Sequence, residues 1–133
     1  MKESTLKEFF EGKVGDDELL SDLTGAALTS GDVAHFRIED MDTEFTVTTS
    51  HLVKVCDSAL SGKLQPEQLK SIGFCLQASD TFDWDADTEE GGRVADIVFY
   101  LSSPEINYDL NAINLSLFKE LLLHGGNPLG KTT

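Results

Sequence analysis

Apolar residues recur at three- and four-residue spacing in four long segments of the chain, and glycine or proline bounds most of them. This spacing puts the apolar side chains on one face of a helix, so each segment predicts an amphipathic helix. Gly62, Pro66 and Pro104 stand where helices stop or start, because glycine favours a helix end and proline a first turn. The predicted helices cover residues 49–62, 66–76, 94–101 and 111–124.

The last of these segments is apolar on most of its sides. Residues 113–122 hold six Ile, Leu and Phe side chains, a density typical of a helix that is covered on several faces. Asn111 is suited to cap its start, and Gly125-Gly126 to end it. We therefore expect this helix to lie at the centre of the fold.

Two shorter helices are predicted near the start of the chain. Thr5 and Glu8 have the spacing of a capping box, which predicts a helix from Thr5 to Gly12. The segment 16–18 is entirely acidic and fits the first turn of a short second helix, where the helix dipole favours anions.

One region has a period of two instead. Val33–Glu39 alternates apolar and polar residues, residues 40–43 suit a turn, and Glu44–Thr48 alternates again. The pattern predicts a short β-hairpin whose apolar face lies on the helices. We expect an α+β fold, mostly α, with about five helices packed with one short antiparallel β-hairpin. Residues 1–126 should form a single globular domain, and residues 127–133 a frayed C-terminal tail.

The net charge limits the partners that the protein can have. There are 24 acidic and 10 basic residues among the 133, which gives a formal charge of −14. Such a field repels nucleic acid and anionic membranes and attracts basic proteins, although a surface of this kind can also serve solubility alone. We expect a basic protein partner, no nucleic-acid partner and no membrane partner.

Compartment and redox state follow from two further features. The two cysteines, Cys56 and Cys75, lie among apolar residues and are too few to make a disulfide framework. No apolar stretch approaches membrane-spanning length. These features predict a reduced, cytoplasmic protein.

The segment 79–93, SDTFDWDADTEEGGR, is the densest acidic run. Asp83, Asp85 and Asp87 stand at positions one, three and five of an EF-hand-like loop. Thr88 replaces the glycine at position six, and Val94 replaces the bidentate glutamate at position twelve, so calcium binding is disfavoured. The second half, TEEGGR, fits the acidic first turn of the next helix. Trp84 and Phe82 fit anchors that hold the segment on the core, although they could also line a pocket.

Other catalytic patterns find little support in the sequence. His51 lies five residues before Cys56, an offset at which helical side chains diverge, and we interpret it with His35 and His124 as structural or surface histidines. Neither Gly-Gly pair is followed by the Lys-Ser/Thr of a phosphate-binding loop. We predict no catalytic residue, no metal and no cofactor. A small metal-dependent hydrolase that uses the Asp80–Asp87 carboxylates stays open as the alternative.

Protein binding explains more of the sequence than catalysis does. Acids concentrate in the segments 16–22, 39–44 and 80–90, and acids around a central aromatic residue suit recognition of a basic surface. In this hypothesis the carboxylates pair with Lys or Arg of the partner, and Trp84 fills a pocket. The predicted partner-binding residues are Asp80, Asp83, Trp84, Asp85, Asp87, Glu89 and Glu90, with Asp40, Asp42 and Glu44 as a second patch.

Four blocks of the chain give it a likeness to a known class of proteins. These are LKEFFEGKVGDDELL, HLVKVCDSALSGKL, GFCLQASDTFDWD and RVADIVFYLSSPEINYDL, which leads into the last helix. In its helical, acidic character the segment from Leu6 to Leu122 resembles small bacterial immunity proteins, the antidotes to colicins and to contact-dependent or other polymorphic toxins.

The resemblance implies a function without catalytic residues. An immunity protein inhibits by binding tightly over the active or substrate-binding face of its toxin. A nuclease-type toxin is basic at that face, and a chain with a charge of −14 complements it. The same physics also allows an acidic adaptor or regulatory domain, or an inhibitor whose acids imitate the phosphates of DNA.

Overall fold

The computed structural model describes residues 2–30, 33–36 and 41–125 of the chain. Six α-helices and four short β-strands form within these ranges, so the mostly helical fold is confirmed, and the helices number six rather than about five. The acidic segment 16–18 begins a helix, as predicted, and this helix is 11 residues long. In chain order the elements are α1 (Glu3–Phe10), α2 (Asp16–Ala26), β1 (Ala27–Ser30), β2 (Val33–Phe36), β3 (Phe45–Thr46), α3 (Thr49–Leu60), α4 (Pro66–Ala78), β4 (Phe82–Asp83), α5 (Glu89–Ser102), a 3₁₀ turn (Pro104–Ile106) and α6 (Ala112–His124).

Local sequence signals set several helix ends as predicted. Pro66 occupies the first turn of α4, and the side chain of Asn111 caps α6 by accepting a hydrogen bond from the N–H of Asn114 at 2.9 Å. Gly12 and Gly62 follow the ends of α1 and α3 with φ angles of +79° and +83°. Other residues adopt such angles only at a cost, so these glycines stop their helices.

The start of α1 differs from the prediction. The N–H groups of Thr5 and Leu6 donate to the carbonyl of Lys2, at 3.1 and 3.4 Å, so Thr5 lies inside the first turn instead of capping it. The N–H of Lys2 itself donates to a carboxylate oxygen of Asp22 in α2, at 2.8 Å. This contact with α2 fixes the chain three residues before Thr5, where α1 is capped by Lys2, and the predicted capping box of Thr5 and Glu8 is wrong.

The pairing of the strands also differs from the prediction. The expected antiparallel hairpin of Val33–Glu39 with Glu44–Thr48 does not form. β2 pairs antiparallel with β1, which precedes it in the chain, whereas β3 pairs in parallel with β4, placing Phe45 beside Phe82 and Thr46 beside Asp83. Residues 37–40 of the expected hairpin lie outside the described residues, as does the expected tail 127–133.

The parallel pair depends on a long connection. Parallel strands cannot be joined by a tight turn, and here α3 and α4 form the crossover from β3 to β4. Alternation along residues 44–48 indicates an extended segment but not its partner. The partner, Phe82–Asp83, is only two residues long and lies within the acidic run, where no strand period is visible.

The helices pack as two main pairs around one cluster of buried apolar side chains. α3 packs against α6, and α4 against α5. Gly73 of α4 lets α5 approach closely, since a Cβ there would lie 2.6 Å from the backbone nitrogen of Ser102 in α5. The close approach therefore needs a residue without a side chain.

α6 is less central than its composition predicts. It buries Leu115, Phe118 and Leu122, yet Ile113 is 73% exposed and Leu123 is 52% exposed. The helix covers the core along one side only, so the expectation of burial on most sides is wrong. Among the described residues, no helix is both long enough and apolar enough to span a lipid bilayer.

Candidate functional site

The parallel strand pair brings the two predicted acidic patches together. The N–H of Phe45 donates to the carbonyl of Thr81, and that of Val47 to the carbonyl of Asp83, both at 2.8 Å. Glu44 therefore lies beside the segment that begins with Asp80. We call the exposed acids of these two segments and of the following turn the acidic edge: Asp42, Glu44, Asp80, Asp83, Asp85 and Asp87. Asp40, also predicted for this surface, lies outside the described residues.

Three phenylalanine rings pack between the acidic edge and the core. Phe82 is buried and meets Phe45 edge to face, with ring centroids 5.9 Å apart. Phe10 of α1 stacks on Phe45 at 5.9 Å and meets the edge of Phe82 at 6.0 Å. Aromatic pairs in these arrangements add to the free energy gained by burial, so the two short strands are held against the core.

A buried carboxylate links both segments of the edge to α1. Glu3 is 0% exposed, and its Oε1 atom accepts hydrogen bonds from the N–H of Met41 at 3.0 Å and from the hydroxyl of Thr81 at 2.6 Å. Its Oε2 atom has no hydrogen-bond partner among the described residues. Sequence reasoning missed Glu3, because an acid in the first turn of a helix normally faces solvent and nothing local distinguishes this one.

The turn that follows β4 fixes the start of α5. The carbonyl of Asp85 accepts hydrogen bonds from the N–H of Thr88 at 3.0 Å and from its hydroxyl at 2.7 Å, while Oδ1 of Asp85 accepts from the N–H of Asp87. Thr88 caps α5 by accepting the N–H of Gly91 at 3.0 Å. The prediction that TEEGGR begins a helix is confirmed. Val94, which stands where an EF-hand-like loop would have its bidentate glutamate, is fully buried.

Some of the predicted acids bind groups within the protein. Asp83 accepts a hydrogen bond from the hydroxyl of Thr46 at 3.0 Å, and Glu89 forms an ion pair with Arg93 one turn further along α5. Glu90 accepts hydrogen bonds from the N–H and the hydroxyl of Thr49, at 3.2 and 3.4 Å, which joins the starts of α5 and α3. With the Asp85 bonds above, these contacts position the edge.

The other predicted acids point to solvent. Asp42, Glu44, Asp80 and Asp87 are exposed, and their carboxylates bind no group of the described residues. Trp84 is half-buried and packs against the core, so the indole anchors the segment while part of it stays accessible. These four acids with Trp84 are the part of the predicted site that is open to a partner.

The arrangement offers little to metal or thiol chemistry. Within the described ranges, no three His, Cys, Asp or Glu side chains lie close enough together to hold a metal ion. Cys56 is fully buried, and this burial, helped by the charge of Asp57, raises the pKa of its thiol to about 12. A thiol of that kind is protonated at neutral pH and is a poor nucleophile.

Comparison with family models, with curated proteins and with solved structures finds no match to this chain. The likeness to immunity proteins consequently has no support from a relative.

Gly91 should be indispensable to the turn before α5. A Cβ at this position would lie 1.7 Å from the carbonyl oxygen of Asp85, a backbone atom that cannot move without breaking the turn. We expect Gly91→Ala to lower the free energy of unfolding by about 1–3 kcal/mol, the usual range for overpacking. Urea denaturation followed by circular dichroism measures the change.

Gly92→Ala is the matched control. It adds the same methyl group one residue later in the same helix, where the nearest atom would be 3.7 Å away. Because alanine favours a helix by up to about 1 kcal/mol over glycine, this variant should be as stable as the parent or slightly more stable. Equal losses in both variants would contradict the proposed clash.

Glu3 should couple α1 to the acidic edge. Glu3→Ala leaves the N–H of Met41 and the hydroxyl of Thr81 without their acceptor, and we expect a loss of about 1–3 kcal/mol. Glu8→Ala, in the same helix, should change stability by less than about 0.5 kcal/mol. A double-mutant cycle of Glu3→Ala with Thr81→Val should give a coupling of about 0.5–3 kcal/mol, and additive losses would show that the bond contributes nothing.

Proposed function

We propose that this chain is a non-enzymatic protein-binding protein of the immunity or inhibitor type, which neutralises a basic cognate toxin by covering it with the acidic edge. One observation carries the proposal: two patches that are far apart in sequence meet at the β3–β4 pair and expose four carboxylates to solvent. Asp42, Glu44 and Asp80 shortly precede the two strands and Asp87 lies in the turn after β4, so a supported backbone presents these charges to a partner. The proposed binding residues are Asp42, Glu44, Asp80 and Asp87 with Trp84.

Within the described ranges, the lysine and arginine of α3 and α5 do not compensate the charge of the edge. Arg93 of α5 forms an ion pair with Glu89. Lys54 of α3 donates to the carbonyl of Phe9 at 2.5 Å and lies over its ring. Neither base neutralises the exposed acids of the edge. A net charge of −14 adds a long-range attraction that would speed encounter with a basic protein.

Rigidity supports the same proposal. Acids that stand on a backbone already held in place lose less conformational freedom on binding than acids of a flexible loop, which favours affinity. Here the strand pair rests on three phenylalanine rings, and the turn before α5 is closed by hydrogen bonds from Thr88. The accessible part of Trp84 supplies apolar contact among these charges, as aromatic residues often do at the centre of an interface.

The proposed partner is a nuclease-type toxin because such an enzyme carries its basic residues where it binds nucleic acid. Binding of the acidic edge to that surface would block the substrate without any chemical step. The identity of the partner rests on the resemblance to immunity proteins. The proposed location of the surface rests on the β3–β4 pairing and on the exposure of its acids.

A charge-reversal pair tests the surface. In Asp80→Lys/Asp87→Lys, two acids whose carboxylates bind no group of the described residues become cations, so association with the basic partner captured from the host should slow by about tenfold or more at low salt. The salt dependence of the rate should weaken at the same time. Stopped-flow fluorescence of Trp84, the one tryptophan in the sequence, measures the rate, provided that the partner's own signal is subtracted.

A second pair controls for net charge. Asp109→Lys/Glu120→Lys changes two exposed acids before and within α6, and each double variant adds four charges, from −14 to −10. The control should slow association much less than the edge variant does. If both pairs slow it equally, only total charge matters, and the acidic edge is not the interface.

A further inference from the structure

His51 occupies a position that joins three elements of the fold. It stands in the first turn of α3, its ring is half-buried, and it stacks on Phe10 of α1 at 5.1 Å with 24° between the planes. The ring also meets Phe45 of β3, with centroids 4.9 Å apart. The imidazole is therefore part of the aromatic group that supports the acidic edge.

The hydrogen bonds of the ring require its neutral form. The N–H of Thr48 donates to Nδ1 of His51 at 2.9 Å, and Thr48 is the residue that caps α3. A nitrogen that accepts a backbone N–H carries no proton, so the proton of the neutral ring is on Nε2. Protonation of Nδ1 would set a second donor against the N–H of Thr48 and break this bond.

The groups around His51 shift its pKa in opposite directions. Burial lowers the pKa of His51 below its ordinary value of 6.5, and Lys54 on the same helix lowers it further, whereas Glu90 of α5 and Glu11 after α1 raise it. The start of a helix also disfavours a cation. The net effect is a lowered pKa, so His51 binds a proton less readily in the folded protein than in an opened chain.

We propose that His51 is a pH-sensitive switch for the corner between β3 and α3. In its neutral form it holds the N–H of Thr48 and packs between Phe10 and Phe45, and protonation releases both contacts. Because β3 ends two residues before Thr48, release of the corner frees Phe45 and Thr46 from their register with β4, and with them the neighbouring Glu44. Acid would thereby loosen one half of the acidic edge.

The sign of the effect follows from proton linkage. An opened corner exposes the ring, which then titrates near 6.5, whereas the closed corner titrates lower. The stabilisation from His51 is therefore complete above pH 6.5 and is lost as the pH falls through the lower pKa of the closed form. At full protonation the closed-to-open ratio falls about tenfold for each unit between the two pKa values.

His51→Gln separates the switch from the hydrogen bond. Glutamine at this position can accept the N–H of Thr48, as in a capping box, but it does not titrate. Unfolding of the parent measured between pH 7 and pH 5 should show a larger loss of stability than that of His51→Gln. The control His124→Gln, which alters an exposed histidine at the end of α6, should follow the parent. Parallel profiles of the parent and His51→Gln overturn the proposal.

An NMR titration of the unaltered protein gives an independent test. The ring signals of His51 should report a pKa below 6.5, and the hydrogen-exchange protection of the Thr48 amide should fall over the same pH range. A pKa of 6.5 or above, or protection that does not change, overturns the switch. Either result leaves the proposed partner surface standing, because the switch does not rest on the identity of the partner.

Discussion

The parallel pairing of Phe45–Thr46 with Phe82–Asp83 is the contact on which the organisation of the candidate site depends. It joins segments that are 37 residues apart. Two strands of two residues cannot be stable alone, and the aromatic contacts with Phe10 make the pairing possible by burying its inner face. Once the pair is set, α3 begins just after one strand and the turn into α5 just after the other.

Carboxylates serve two physical roles in this structure. Glu3 and Glu90 accept hydrogen bonds that join distant segments, and Asp85 accepts one within the turn before α5. The energy of these bonds must offset the loss of hydration. The exposed acids keep their hydration and contribute mainly a field. Acids that look alike in the sequence therefore differ in the structure. Some hold the surface together through hydrogen bonds, and others expose hydrated carboxylates that a cation can approach.

The predictions that hold are those that depend on a few neighbouring residues. Pro66, Asn111 and the glycines after α1 and α3 act through dihedral preferences and capping bonds within a single turn. The hairpin of Val33–Glu39, the start of α1 and the central position of α6 were predicted wrongly, and each depends on contacts with distant parts of the chain. Alternation shows that a segment is extended, but the strand that lies beside it is decided by which pairing buries the most apolar surface.

By itself the sequence determined the helical character of the chain, most of its helix ends, its strong negative charge and the acidic first turn of α5. Each of these follows from local spacing or from composition. Only the tertiary structure decided that Glu3 is buried, that Gly91 admits no side chain, and that the two acidic patches share an edge. These features arise from contacts between residues that lie up to 78 positions apart, and the free energy of such contacts depends on the whole packed core.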